Sequence, residues 1–271
     1  MQIIPTVEAF YQLYDQIKRE IPGWTTNFYP TPARIAQLVE QSSLQYIRVG
    51  TTSFFLQQRP SFQSVFYCTA APDHLQAGLQ ALHSQISGCL VIDVLVSSLE
   101  DTSLLTALEN SGYRRYASFR RMHIAQQNVP GQPVHSPIRC ATPQQADSIL
   151  ALLEQSFDPL IEHLPTLKEI VDACEKQTIL ITEEDEQITG LLFYQQTRLS
   201  SELRYWLVKE AWRDRNIGSA LLHTYWQRSA HAQNHYLWVN TANQNAIQRY
   251  LHFGYTFDTL SDLIYIHLEE K

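Results

Sequence analysis

The sequence predicts an α/β protein whose two halves run through a similar order of strands and helices. Three observations lead there. Short runs of alternating or continuous apolar residues, read as strands, take turns along the chain with longer runs at three-to-four spacing, read as helices. The 271 residues, 44% hydrophobic and 17% charged, suffice for one large or two ordinary globular domains. Midway, Gln126-Gln127-Asn128-Val129-Pro130-Gly131-Gln132-Pro133 mixes polar residues with Pro and Gly as a linker does, dividing the chain into domains over 1–128 and 136–271.

In the first half, Val7, Phe10, Tyr11, Tyr14 and Ile17 hold helical spacing, and Thr31-Pro32 opens a second helix. Ser53 to Gln58 and Gln63 to Thr69 predict a hairpin. A helix from Asp73 to about Ile86, a strand from Cys89 to Val96, a helix from Leu99 to Asn110, the pair Gly112-Tyr113 and a strand through Phe119 to Ile124 complete it.

The second half opens on a short strand, Ile138 to Ala141. Thr142-Pro143 then starts a helix with Ile149, Leu150, Leu153 and Phe157 along one side. A helix around Thr166 to Glu175 precedes strands at Thr178 to Thr182 and Ile188 to Gln195, joined by Glu183-Glu184-Asp185-Glu186. Four acids in a row read as a solvated hairpin tip rather than a metal site. Gly254-Tyr255 repeats Gly112-Tyr113, and the first half reads as a diverged copy of the second on the order of its elements.

Chemistry points to the stretch from Arg213 to Leu222. It lies between the apolar run Leu203 to Val208 and an amphipathic segment ending near Arg228, an order that reads strand, turn, helix. Amide N–H groups converge at such a helix start with the positive end of the helix dipole, so the site favours a phosphate or diphosphate. Further on, Leu237, Val239, Asn243, Ala246, Ile247, Tyr250, Gly254 and Tyr255 are spaced as a second strand, a loop and a helix ending at Gly254.

These two ordered motifs, spanning about Ile138 to the C-terminus, resemble the GNAT superfamily of acyl-CoA-dependent N-acyltransferases. The resemblance implies two tandem GNAT-like domains, each a mixed, mostly antiparallel sheet flanked by helices. The family's diphosphate loop, [Gln/Arg]-x-x-Gly-x-[Gly/Ala], places Arg213 first, Asn216 at the first glycine and Gly218 at the second. Asparagine tolerates left-handed backbone angles, so the turn can form. By the same resemblance Arg213, Asp214, Arg215, Asn216, Ile217, Gly218 and Ser219 cradle the diphosphate of acetyl-CoA, and the main chain of Leu207 and Val208 lines its pantetheine arm. Asn243 is placed to contact that arm, to cap its own helix, or to do both.

Acyl transfer to an amine needs the amine neutral and the leaving thiolate protonated. Tyr250, at the tyrosine of the family's helix, is implied as the acid; otherwise it is an aromatic packed under the sheet. Glu202, separated from Arg213 as the catalytic glutamate is from the diphosphate loop in histone-acetylating members, is implied as the base; otherwise it is a strand-end carboxylate. In the first half Ala70-Ala71-Pro72-Asp73 replaces the loop with an anionic helix start, so that half is expected to bind no cofactor.

Other classes fit poorly. A net charge of −7 lacks the basic footprint of a nucleic-acid binder. No run reaches the ~18 apolar residues that span a bilayer, and the N-terminus has no signal-like pattern, so the expectation is cytoplasmic and without membrane contact. Cys68, Cys89, Cys140 and Cys174 are dispersed without a C-x-x-C pair. His231 and His235 lack the glutamate of H-E-x-x-H, so no metal is expected, and Ser219 lacks the G-x-S-x-G elbow of hydrolases. The expected activity is N-acetylation of a primary amine on a small molecule or peptide. The alternative is a non-catalytic CoA-binding or interaction module of the same fold, and the oligomeric state stays open.

Overall fold

A computed structural model describes residues 1–97, 102–130 and 137–268. The chain runs β1 (Gln2–Ile3), α1 (Val7–Glu20), β2 (Thr25–Thr26), α2 (Pro32–Glu40), β3 (Leu44–Val49), β4 (Thr52–Gln58), β5 (Gln63–Thr69), α3 (Pro72–His83), β6 (Leu90–Val96), α4 (Ser103–Asn110) and β7 (Arg114–Ala125). It continues with β8 (Arg139–Cys140), α5 (Ala146–Ser156), α6 (Leu167–Glu175), β9 (Ile179–Glu184), β10 (Gln187–Gln196), β11 (Ser200–Val208), α7 (Ile217–Arg228), β12 (Asn234–Asn240), α8 (Gln244–His252) and β13 (Thr256–His267). Residues 99–101 of the predicted helix from Leu99, and 131–133 of the predicted linker, lie outside the described residues.

Two compact units result, one of residues 1–118 with the chain from 260 onward, the other of residues 119–259. In the first, the sheet order is β1-β3-β4-β5-β6-β13. Its pairings are antiparallel except β5 with β6. In the second the order is β8-β9-β10-β11-β12-β7, again antiparallel apart from one pair, β11 with β12. The same plan is used twice, as the repeat in element order anticipates.

The units differ from the division at 128/136 because each borrows its last strand. β7 follows α4 in the chain, yet Phe119–Ala125 pairs with β12. β13 follows α8, yet Ser261–His267 pairs with β6. Gln126, expected in a linker, is built into the second unit: its N–H donates to Gln233 O (2.9 Å) and its side-chain oxygen lies 2.6 Å from His235 Nε2.

Strand alternation gives each sheet two apolar faces. In the first unit Phe54, Leu56, Val65 and Tyr67 pack under α3 and α4, while Phe55 and Cys68 pack with Phe10 and Ile17 of α1 and Ile35 of α2. In the second, Leu192 and Tyr194 face α7 and α8, and Leu191 and Phe193 face α5 and α6. Each such side chain contributes about 1.5–3 kcal/mol on full burial.

The Gly-Tyr echo is a repeated helix ending. Gly112 and Gly254 take φ of +85° and +88°. Beyond them Tyr113 N–H donates to Leu108 O (3.1 Å) and Tyr255 N–H to Tyr250 O (3.0 Å). The glycine adopts the left-handed angle without a Cβ penalty, and the next amide satisfies a carbonyl of the last turn. At α6 the Thr166 hydroxyl accepts from Glu169 N–H while the Glu169 carboxylate accepts from Thr166 N–H, a reciprocal cap. No described helix is long and apolar enough to cross a membrane.

Candidate active site

The site starts as a disagreement between strands. β11 pairs with β10 along its length, but Phe193 opposes Tyr205 and Tyr194 opposes Leu203, which leaves Arg204 as an extra residue. Such a bulge bends and twists the strand that carries it. There β11 and β12 part: their pairing runs from Ser200↔Asn234 to Leu203↔Leu237 and stops. β11 continues to Val208, and β12 continues to Asn240 with β7 still beside it. Alternate main-chain groups of Arg204–Val208 therefore face a gap in the sheet: those of Val208 do, whereas Lys209 N–H donates to Thr189 O (2.9 Å) and in that register the groups of Leu207 are turned toward β10.

Beside this gap the chain turns into α7. After Val208 a short 3₁₀ turn, Glu210–Trp212, leads to Asp214 and Asn216, whose φ values are +63° and +57°. Asn216 thus supplies the left-handed turn that the loop pattern assigns to glycine. The first helical hydrogen bond joins Ala220 N–H to Asn216 O (3.0 Å), so the amides of Ile217, Gly218 and Ser219 lie ahead of it, without helical acceptors. The first turn of α7 carries no acidic residue.

Two glycines let this turn sit close to the sheet. A Cβ on Gly218 would lie 3.2 Å from Trp206 Cζ2, and one on Gly190 in β10 would lie 2.7 Å from Ile217 Cγ2. The loop is also tied down. Trp212 Nε1 donates to Glu184 (2.6 Å), Arg215 pairs with the same carboxylate (3.2 Å), and Arg213 Nε donates to Val208 O (3.4 Å). The acidic stretch 183–186 is therefore only partly the solvated tip its charge suggests: Glu183 pairs with Arg139 and Glu184 anchors the loop, which leaves Asp185 and Glu186 at the turn. Four adjacent acids carry no information about cations that arrive from distant elements.

Tyr250 lies in α8, 7% exposed, its ring 5.5 Å from Trp206 and 5.7 Å from Tyr255. Burial, and then the charge of Glu162, push its phenol well above the usual tyrosine range. Asn243 caps α8, its side-chain oxygen accepting from Ala246 N–H (3.1 Å). Glu202 lies opposite Tyr236 in the paired stretch, just before the split. Its carboxylate accepts from the Tyr236 hydroxyl (3.3 Å) and lies 3.9 Å from Arg204 Nε.

Three contributors carry no sequence motif, although Glu162 falls in the stretch from Phe157 to Leu164 that the resemblance marks as a source of acceptor contacts. Gly190 gives α7 its seat, Trp206 bridges Gly218 and Tyr250, and Glu162 lies between α5 and α6 with its carboxyl pushed up to about 7 by burial. Among the described residues no group of three or more His, Cys, Asp or Glu could hold a metal ion.

A split sheet, a helix start rich in free amides and a buried phenol share one side of the second unit. Residues 147–255 match the model of the acetyltransferase (GNAT) family. This stretch is a GNAT domain. The fold of the chain resembles that of a GCN5-related N-acetyltransferase from Sphaerobacter thermophilus, with 18% identity and a TM-score of 0.56 over 79% of this chain and 76% of that one. It resembles another from Kribbella flavida at 12% and 0.57 over 87% and 95%. A tandem GNAT protein from the clavulanic acid biosynthesis pathway matches at 10% and 0.54 over 81% and 80%. At these identities the likeness speaks to the fold alone. None of the curated proteins compared with the chain matches it.

Against the GNAT domain, the first unit shows what the same plan looks like when the gap is filled. β5 and β6 also part, pairing only at Gln63↔Leu90 and Ser64↔Val91. Here β2 pairs Thr25 with Thr69 and Thr26 with Cys68 on the freed edge of β5. The Asn27 amide donates to Val65 O (3.1 Å) in β5 and to Asp93 O (3.0 Å) in β6, and its oxygen accepts from Tyr67 N–H (2.8 Å). α3 follows β5 after two residues with Asp73 in its first turn. Leu108 takes the place in the helix ending that Tyr250 takes in the GNAT domain.

Proposed function

We propose that the chain is an N-acetyltransferase that moves an acetyl group from acetyl-CoA to a primary amine of a small molecule or peptide by direct attack. The observation that carries this reading is the split of β11 from β12 beside the amides of Ile217, Gly218 and Ser219, with Tyr250 at the same opening. These residues fit the donor's chemistry. Amides at a helix start suit a diphosphate, and the loop from Arg213 to Ser219 would hold it. The unpaired edge at Val208, next to Leu207, offers peptide groups to the amides of a pantetheine arm, and Asn243 stands at the mouth of α8. The first unit is a GNAT-like domain that binds no acyl donor, because its own Thr25–Asn27 segment fills the equivalent opening.

In the reaction the amine must lose a proton before attack, and the departing sulfur must gain one. Tyr250 is the proposed acid: its phenol is neutral at pH 7, and burial keeps it so. Glu202 is the carboxylate selected by sequence spacing to receive the amine's proton, directly or through water.

The test is calorimetry with acetyl-CoA followed by thiol release with a panel of primary amines. The expected result is one acetyl-CoA bound per chain and thiol release that depends on an amine. Binding without release for every amine would favour a CoA-binding module, a reading to which Asn216 and the commitment of Arg215 to Glu184 lend support. No binding would remove the site.

A further inference from the structure

We propose that Glu162 is the general base of the acetyl transfer. This rests on the acetyltransferase reading and assigns to a loop residue the role that spacing gives to Glu202.

The geometry begins at the bulge. The segment between α5 and α6 is pinned to β11 by the extra residue and its neighbour. The Tyr205 hydroxyl donates to Glu162 O (2.8 Å) and His163 O (3.1 Å), and Arg204 Nη2 donates to His163 O (3.4 Å). Phe157 packs against the Tyr205 ring at 5.2 Å, and His163 is held at a φ of +45°. A non-glycine residue in that region costs free energy and persists only where its surroundings fix it. These contacts bring Glu162 to where β11 leaves β12. The next residue of β11, Trp206, projects to the other face, where its ring lies 5.5 Å from that of Tyr250, and the charge of Glu162 acts on the Tyr250 phenol, so the carboxyl and the phenol approach one another where the strands part.

The electrostatics agree with the placement. The groups facing Glu162 are Asp158 and His163 on its own loop, Arg204 and Tyr205 on β11, and Tyr250 on α8. Burial outweighs the cations and brings the carboxyl to about 7, where a general base is most effective near neutral pH. Glu202, by contrast, is engaged by Tyr236 and Arg204 inside the paired stretch.

The Glu162 carboxylate takes one proton from the ammonium and later releases it to solvent. The freed lone pair forms the C–N bond to the acyl carbon, and the C–S bond breaks. The thiolate takes the Tyr250 proton, and the surplus proton on the new amide nitrogen restores the phenol. One proton leaves overall.

The experiment compares Glu162→Gln and Glu202→Gln in the full chain, with acetyl-CoA and a primary alkylamine chosen from the panel. Glutamine at 162 keeps the main-chain carbonyl that Tyr205 holds, and circular dichroism checks the fold. Glu162→Gln is expected to lower kcat/KM by roughly 10²–10³, to abolish the limb of the pH profile near 7 and to leave acetyl-CoA affinity unchanged. An alkoxyamine, already uncharged at neutral pH, should recover most of the loss. Glu202→Gln should keep the limb. Tyr205→Phe, which frees the loop without touching the carboxyl, should lower kcat and move the limb toward acid. Retention of the limb in Glu162→Gln, or its loss in Glu202→Gln, would overturn the assignment while leaving the transferase standing. Failure of the wild-type chain to bind acetyl-CoA would sink both.

Discussion

Gly190→Ala probes the seat of the proposed diphosphate loop from β10, outside the loop itself. The added Cβ would lie 2.7 Å from Ile217 Cγ2, 2.9 Å from Thr182 Oγ1 and 3.1 Å from Leu221 Cδ1. Carbon atoms in contact prefer about 3.5–4.0 Å, so α7 must retreat from β10 by several tenths of an ångström. Overpacking of this kind costs about 1–3 kcal/mol, more than the ~0.8 kcal/mol gained by burying one methyl group. For a domain of this size each kcal/mol lowers Tm by about 2–4 °C. Because Ile217 opens α7, acetyl-CoA affinity should fall several-fold as well. Thermal unfolding by circular dichroism and calorimetric titration read the two effects separately. Ile217→Ala removes the tightest contact, so the double variant should be more stable than the sum of the single effects by at least about 0.5 kcal/mol. A Tm within a degree of wild type together with unchanged affinity would show that α7 is not seated on Gly190, and the amide cradle would lose its foundation.

Three further outcomes are expected. Tyr250→Phe should lower kcat about a hundredfold or more with acetyl-CoA affinity unchanged, and equal turnover would remove the phenol from the mechanism. Gly218→Asp should weaken acetyl-CoA binding more than tenfold; Gly218→Ala, which also crowds Trp206 at 3.2 Å, separates the contribution of charge from that of bulk in the same titration. His235, fully buried with its pKa lowered to about 4 by burial and then by His231, is protonated more readily unfolded than folded. Its contribution is therefore complete above pH ~6.5 and is lost as pH falls toward 4, by up to about 3 kcal/mol. Urea midpoints of wild type and His235→Asn at several pH values check this, and parallel pH dependence in the two would refute it.

How far the sequence foretells the structure depends on how local each signal is. Gly112 and Gly254 announce helix ends because only the left-handed angle closes that turn cheaply, and Thr166 with Glu169 announces a helix start through a reciprocal cap. The turn from Val208 into α7 is equally local, so Asn216, Ile217 and Gly218 could be placed by pattern. β3 is a half-buried strand whose alternation is weak, and it escapes a reading by periodicity. Strand exchange escapes for a stronger reason. Nothing in Arg120 or Met122 states that their partners are Val239 and Leu237 rather than a neighbour in sequence. Glu162 and Gly190 are of the same kind, one being made chemically relevant by Tyr205 across 43 residues and the other by Ile217.

The two openings make the functional argument sharper than either could alone. Both units part their parallel strands, so the split belongs to the shared plan and by itself does not report activity. The difference lies in what meets the freed edge. In the first unit, Asn27 bonds to β5 and β6 at once and β2 adds a strand, so peptide groups of the chain satisfy the edge. In the GNAT domain the edge from Arg204 to Val208 stands beside a helix start with no acidic residue and an intact phenol. Unpaired peptide groups are costly unless water or a ligand meets them. Among the described residues the first unit has an internal strap at its opening and the second has none, which is why the proposed donor site lies in the second, beside the amides of Ile217, Gly218 and Ser219 and the Tyr250 phenol.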